Sequence, residues 1–118
     1  MTNHQTDLTW NELPAPVACY LTARPATDNS AALAAFTDDA VVTDEGHTYH
    51  GRDEIGAWMQ RASAEYTYTT EFVGATRLDE SRIEVVQHLE GNFPGGVIDL
   101  RFRFTLDGTG IRRLTIEP

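Results

Sequence analysis

Ile83-Glu84-Val85-Val86-Gln87-His88-Leu89-Glu90, the turn Asn92-Phe93-Pro94-Gly95-Gly96, and Ile98-Asp99-Leu100-Arg101-Phe102-Arg103-Phe104-Thr105-Leu106 form the stretch whose reading decides the fold. In both flanking runs apolar and polar residues alternate, and side chains two apart share one face of a strand. One stripe therefore holds Ile83, Val85, Gln87 and Leu89, and the facing stripe Ile98, Leu100, Phe102, Phe104 and Leu106. Pro-Gly-Gly between them predicts an antiparallel hairpin. The register that sets His88 opposite Asp99 also sets Glu84 opposite Arg103, and both pairs are favourable. The charges at 84, 88, 99, 101 and 103 then read as a solvated or dimer-contact outer face.

The same period extends outward. Upstream, Tyr66, Tyr68, Thr70 and Phe72 alternate with Thr67, Thr69 and Glu71. Downstream, Asp107-Gly108-Thr109-Gly110 is a second turn signal, and a last strand follows from Ile111 to Glu117. Ile111 and Leu114 break strict alternation there, which predicts a bulge.

The first half of the chain reads differently. Residues 1–12 are polar and aperiodic and read as a flexible N-terminal arm, leaving residues 13–118 as one domain. Leu13-Pro14-Ala15-Pro16 opens a helix, with Val17, Tyr20, Leu21 and Arg24 at helical spacing, and Pro25 stops it. Asp28 is the expected N-cap of a second helix, Asn29 to Phe36, with Leu33 and Phe36 facing inward and Thr37-Asp38-Asp39 ending it. Ala40 to Asp44 reads as a short strand, Glu45-Gly46 as a turn, and His47 to His50 as a second extended piece. A third helix begins at Gly51-Arg52-Asp53-Glu54, with acids where the helix dipole favours them and Ile55, Trp58, Met59 and Ala62 as its buried stripe. Helices first and a curled antiparallel sheet second make an α+β domain.

Composition limits the function. The chain has 118 residues, 41% hydrophobic and 23% charged, which suits one globular domain and neither disorder nor a fibre. Eighteen Asp and Glu against nine Arg and no Lys give a net charge of -9. Nucleic-acid phosphates and anionic membranes would both be repelled, so neither is an expected partner. The start lacks signal-peptide character and no run approaches a membrane span, so a cytoplasmic protein is expected. Cys19 stands alone and offers neither an intrachain disulfide nor a zinc motif. No glycine-rich phosphate loop, Gly-x-Ser-x-Gly elbow or Cys-His pairing occurs, and no cofactor is expected.

Three strings carry a family resemblance: Phe36-Thr37-Asp38-Asp39-Ala40-Val41-Val42 leading to Asp44; Tyr49-His50-Gly51-Arg52-Asp53-Glu54-Ile55; and Phe102-Arg103-Phe104-Thr105-Leu106-Asp107-Gly108 before Ile111-Arg112-Arg113-Leu114. With the order of elements, they resemble the nuclear transport factor 2-like superfamily, in its SnoaL-like and ketosteroid-isomerase-like branch, over about residues 13 to 117. The resemblance implies a cone: a curved antiparallel sheet with three helices packed on its concave face. A strongly curved sheet is not filled by short helices alone, so an apolar cavity is expected. Phe36, Trp58, Tyr68, Phe72 and Phe102 are expected to line it, together with Met59, Leu100 and a mouth-lining His50. Such a lining suits an apolar or aromatic small molecule.

The resemblance also implies chemistry. The aspartate matching Asp44 in the isomerases shuttles a proton between carbon atoms of a ketone, and a tyrosine placed like Tyr20 donates a hydrogen bond to the enolate oxygen. Asp44 shares a face with Val42 by alternation, so burial would raise its proton affinity. The match breaks at the third member, a protonated aspartate two residues before the Phe-x-Phe, where Leu100 stands; Asp99 has the opposite parity. His47 and His50 send their rings to opposite faces, so no metal site is expected. Two readings follow: a cofactor-independent isomerase or polyketide-cyclase-like enzyme with Asp44 as shuttle and Tyr20 as donor, or a non-catalytic ligand-binding homodimer of the same fold.

Overall fold

The computed structural model describes residues 6–23, 30–65, 68–108 and 110–118. Arg24, Pro25, Asp28, Asn29, Tyr66, Thr67 and Thr109, named above, lie outside the described residues, as does the side chain of Ala62. The elements are β1 (Thr6–Leu8), a 3-10 turn (Trp10–Glu12), α1 (Ala15–Ala23), α2 (Ser30–Ala34), β2 (Phe36–Asp44), β3 (His47–His50), α3 (Gly51–Glu65), β4 (Tyr68–Arg77), β5 (Arg82–Gly91), β6 (Val97–Asp107) and β7 (Gly110–Glu117). This is the expected α+β architecture, with one seven-stranded curved sheet in the order β1-β4-β5-β6-β7-β2-β3.

The decisive hairpin pairs β5 with β6 in the expected register, His88 opposite Asp99 and Glu84 opposite Arg103. Both outer-face pairs bond, His88 Nδ1 to Asp99 at 2.6 Å and Arg103 Nε to Glu84 at 2.9 Å. Arg103 also pairs with Glu117, while His88 Nε2 reaches Glu90. Hydrogen bonds donated to the Asp99 and then the Glu90 carboxylate hold the His88 pKa above its ordinary value.

Three register breaks bend the sheet. Val73 is the extra residue between Phe72 and Gly74 on β4. The expected bulge on the last strand occurs where Thr105 pairs with Arg113 and Leu106 with Ile111. The third lies between Phe36 and Val41 on β2. At each break the bulged strand bends and twists more strongly, which curls the sheet into the cone.

Four local expectations are corrected. Residues 6–12 are not a loose arm: β1 adds to the edge of β4, and Trp10 packs edge-on against Phe72, with ring centroids 5.4 Å apart. The second helix is shorter than Asn29–Phe36, because Phe36 begins β2 and Thr37-Asp38-Asp39 belong to that strand. The strand after α3 runs on to Arg77, since the bulge at Val73 only offsets its alternation. The sheet is not wholly antiparallel, because β2 runs parallel to β7.

The core forms where helices meet the concave face. Val17, Tyr20 and Leu21 of α1 and Ile55, Trp58 and Met59 of α3 are buried at helical spacing against Val85, Phe102, Phe104, Ile111 and Leu114 of the sheet. Tyr20 lies edge-on to both Phe36 and Phe104, with centroids 5.6 and 5.8 Å away. Arg52 ties α3 to the break in β2: its guanidinium donates to the Phe36 carbonyl at 2.7 Å and pairs with Asp38 at 3.0 Å. Gly110 is fixed by close packing, because a Cβ there would lie 2.9 Å from Thr37 Cγ2. No helix among the described residues is long and apolar enough to cross a membrane.

Candidate active site in the cone

Asp44 ends β2, opposite Ile116 on β7 and His47 on β3. The Glu45-Gly46 turn after it has positive φ at both residues, 54° and 79°, as a two-residue hairpin loop of this hand requires. With Val42 fully buried on the same stripe, parity turns Asp44 toward the concave side, where it is half-buried. There the Trp58 indole Nε1–H donates to Asp44 Oδ2 at 3.0 Å. This bond orients the carboxylate and favours its charged form.

Asp44 and Trp58 border a cavity of about 780 Å³ between the helices and the sheet. Tyr20, Leu21, Gln87, Leu89, Phe102 and Ile116 form buried parts of its wall, joined by the half-buried Tyr68, Ile98 and Leu100. Exposed lining residues, among them Glu45, His47, Arg61 and Pro94, make the rim. The deep wall is thus largely aromatic and aliphatic, with a carboxylate, a phenol and a carboxamide set into it.

Of the residues singled out in the sequence, the structure brings Tyr20, Asp44, Trp58, Tyr68, Leu100 and Phe102 to this cavity. Four others do not line it. Phe36 and Met59 are spent on the core, Phe36 against Tyr20. Phe72 packs under Trp10, because β1 and the 3-10 turn cover that end of β4. His50 is exposed, and its backbone N–H donates to Glu54 at the start of α3. The opposite parity on β3 puts Tyr49 and His47 at the cavity instead.

Tyr49, which pattern alone does not mark, also lines the cavity. It stacks on Trp58 with centroids 6.0 Å apart, and the Arg61 guanidinium lies 5.5 Å from its ring centroid on α3's exposed side. Helical spacing from Trp58 to Arg61 was the available signal. Gln87 lines it too, and its signal in the sequence is a polar residue on an otherwise apolar stripe. Among the described residues no group of three His, Cys, Asp or Glu side chains gathers to hold a metal ion.

No family model and no curated protein matches the sequence. Solved structures do. A candidate polyketide cyclase from Sinorhizobium meliloti superposes with a TM-score of 0.86 at 31% identity, over 93% of this chain and 100% of that one. The chain belongs to the nuclear transport factor 2-like superfamily, in its SnoaL and ketosteroid isomerase-like branch. A second candidate polyketide cyclase, from Xanthomonas campestris, matches this family member with a TM-score of 0.69 at 25% identity, over 86% of this chain and 85% of that one. A Catenulispora acidiphila protein with the ketosteroid isomerase-like fold, solved with trimethylamine, shares the fold at a TM-score of 0.78 and 20% identity, over 89% of this chain and 85% of that one. In all of these the superfamily cone is shared.

Proposed function

We propose that this superfamily member is a cofactor-independent enzyme of the isomerase or polyketide-cyclase type, acting on an apolar ketone in the cavity. The carrying observation is the placement of Asp44: a half-buried carboxylate at the cavity wall, held by the Trp58 indole among apolar side chains. There the carboxylate is oriented by the Trp58 N–H and faces the space a bound ketone would occupy. Asp44 removes a proton from the carbon beside the ketone, and the bonding pair moves to the carbonyl oxygen as an enolate. Tyr20 donates a hydrogen bond to that oxygen. Collapse of the enolate then has two outcomes. Asp44 returns the proton to a different carbon, which is isomerisation, or the enolate carbon attacks a second carbonyl and Asp44 protonates the new alkoxide, which closes a ring. The two candidate cyclases among the structural relatives support the second outcome.

Leu100 favours a second reading. Where the isomerases place a protonated acid this chain has an apolar side chain on the cavity wall, so stabilisation of the enolate rests on fewer donors. In that reading the protein binds an apolar metabolite without turning it over. A cytoplasmic homodimer through the outer sheet face, with its Glu84–Arg103–Glu117 and Asp99–His88–Glu90 networks, belongs to either reading.

Titrating steroid-like and aromatic polyketide-like ketones into isotope-labelled protein tests the site. The expected result is saturable NMR shifts at Tyr20, Leu100 and Phe102. Shifts confined to outer-face residues such as Arg101 would contradict the assignment.

A further inference from the structure

Gln87 sits on the inner stripe of β5 and is 7% exposed, the one buried polar or charged residue among those described. Across the ladder it faces Phe72 on β4 and Leu100 on β6, and the inward residues along its own strand are Val85 and Leu89. A carboxamide brings two N–H donors and an oxygen with two lone pairs. Among the described residues no hydrogen bond reaches these atoms. A buried polar group without a protein partner costs stability, and Met or Leu would fill similar space without that cost. Yet the side chain borders the cavity.

We propose that Gln87 is the polar anchor of the cavity: its carboxamide hydrogen-bonds an oxygen of the bound ligand and selects molecules that carry a hydroxyl or carbonyl at that wall. Along the sheet the position is set off from Asp44. Asp44, Ile116, Phe102 and Val85 follow one another in register across four strands, and Gln87 lies two residues further along β5. On a flat sheet that offset is about 16 Å between Cα atoms, and the curl brings the two side chains toward each other over the concave face. The oxygen assigned to Gln87 is a second group, apart from the ketone beside Asp44. The favoured ligand is an elongated apolar molecule with oxygen at both ends. This inference rests on the cavity being a ligand site and is independent of whether Asp44 moves a proton.

Two matched probes test it, 6-hydroxy-2-acetonaphthone and 6-methyl-2-acetonaphthone, which share the ketone and differ only at the far end. Affinities are measured by calorimetry for the wild type, Gln87→Met and, as a second apolar replacement, Gln87→Leu, with thermal melts to establish that each is folded. The wild type is expected to prefer the hydroxyl probe by about tenfold, the worth of one ligand hydrogen bond, and both variants to bring the ratio near one. Asp44→Asn is expected to keep the wild-type ratio. A ratio that survives in Gln87→Met or Gln87→Leu, or vanishes in Asp44→Asn, overturns the assignment of selection to Gln87 while leaving the cavity a ligand site. Binding of neither probe by the wild type overturns the ligand-site reading and this inference with it.

Discussion

Replacing Trp58 with phenylalanine takes one proton donor from Asp44 and keeps an aromatic ring in nearly the same place. The indole Nε1–H lies 3.0 Å from Asp44 Oδ2, and the tryptophan is 4% exposed, so the donor is fixed by packing. A hydrogen bond to a charged group contributes about 1.5–3 kcal/mol. Asp44 is half-buried and borders the cavity, so water recovers part of that, and about 1–2 kcal/mol of preference for the carboxylate is lost. The acidic limb of the Asp44-dependent rate should therefore move to higher pH. The direction is set by chemistry: the lost donor served the charged form, so the protonated form persists to higher pH. The assay is the pH dependence of deuterium exchange into a ketone probe, with denaturant melts in parallel because the smaller ring leaves space beside Tyr49. An unmoved limb in a folded Trp58→Phe protein would exclude the indole N–H as a partner that stabilises the Asp44 carboxylate.

Other consequences can be checked separately. Tyr20→Phe keeps the ring contacts with Phe36 and Phe104 but removes the enolate donor, so exchange should slow by about 10²-fold in kcat with little change in KM. An equal loss in KM would make Tyr20 a binding residue instead. Gly110→Ala places a methyl 2.9 Å from Thr37 Cγ2 and should destabilise by about 1–3 kcal/mol in urea melts, with Thr37→Ser restoring part of it by deleting that methyl. His88 has a raised pKa, so its stabilisation is complete below the unfolded value of about 6.5 and disappears as pH rises through the folded value. The stability gap between wild type and His88→Asn should narrow across that window, and a gap that widens toward alkaline pH would exclude the protonated His88 network.

What was legible in the sequence followed from period and turn chemistry. Strict alternation in β5 and β6 fixed their faces and, through His88 with Asp99 and Glu84 with Arg103, their register. The features that escaped are those in which tertiary contacts overrule local pattern. β1 is three residues long and exists because β4 offers it an edge. Phe36 carries helix-like spacing from Leu33, yet its carbonyl is held by Arg52 and the residue opens β2. The parallel pairing of β2 with β7 joins segments far apart in sequence, and no turn signal announces it.

At the site, parity was the useful guide. It brought Asp44 inward from Val42 and gave Leu100 and Phe102 a common face, and all three border the cavity. Parity also argues against His50, whose neighbour Tyr49 occupies the inward position on β3. Phe36, Phe72 and Met59 show the limit: an inward apolar residue either lines a cavity or fills a core, and only tertiary packing, such as Trp10 against Phe72 and Tyr20 against Phe36, separates the two.

In the proposed reaction the Asp44 carboxylate moves a proton at a carbon beside a ketone. Its most direct measurement follows, by NMR in deuterated buffer, loss of the α-proton signal of 2-tetralone with wild type and with Asp44→Asn, which preserves shape and removes the base. Exchange above the buffer rate is expected with the wild type, and a return to the buffer rate in the folded variant. Exchange by Asp44→Asn as fast as by the wild type would exclude Asp44 as the base.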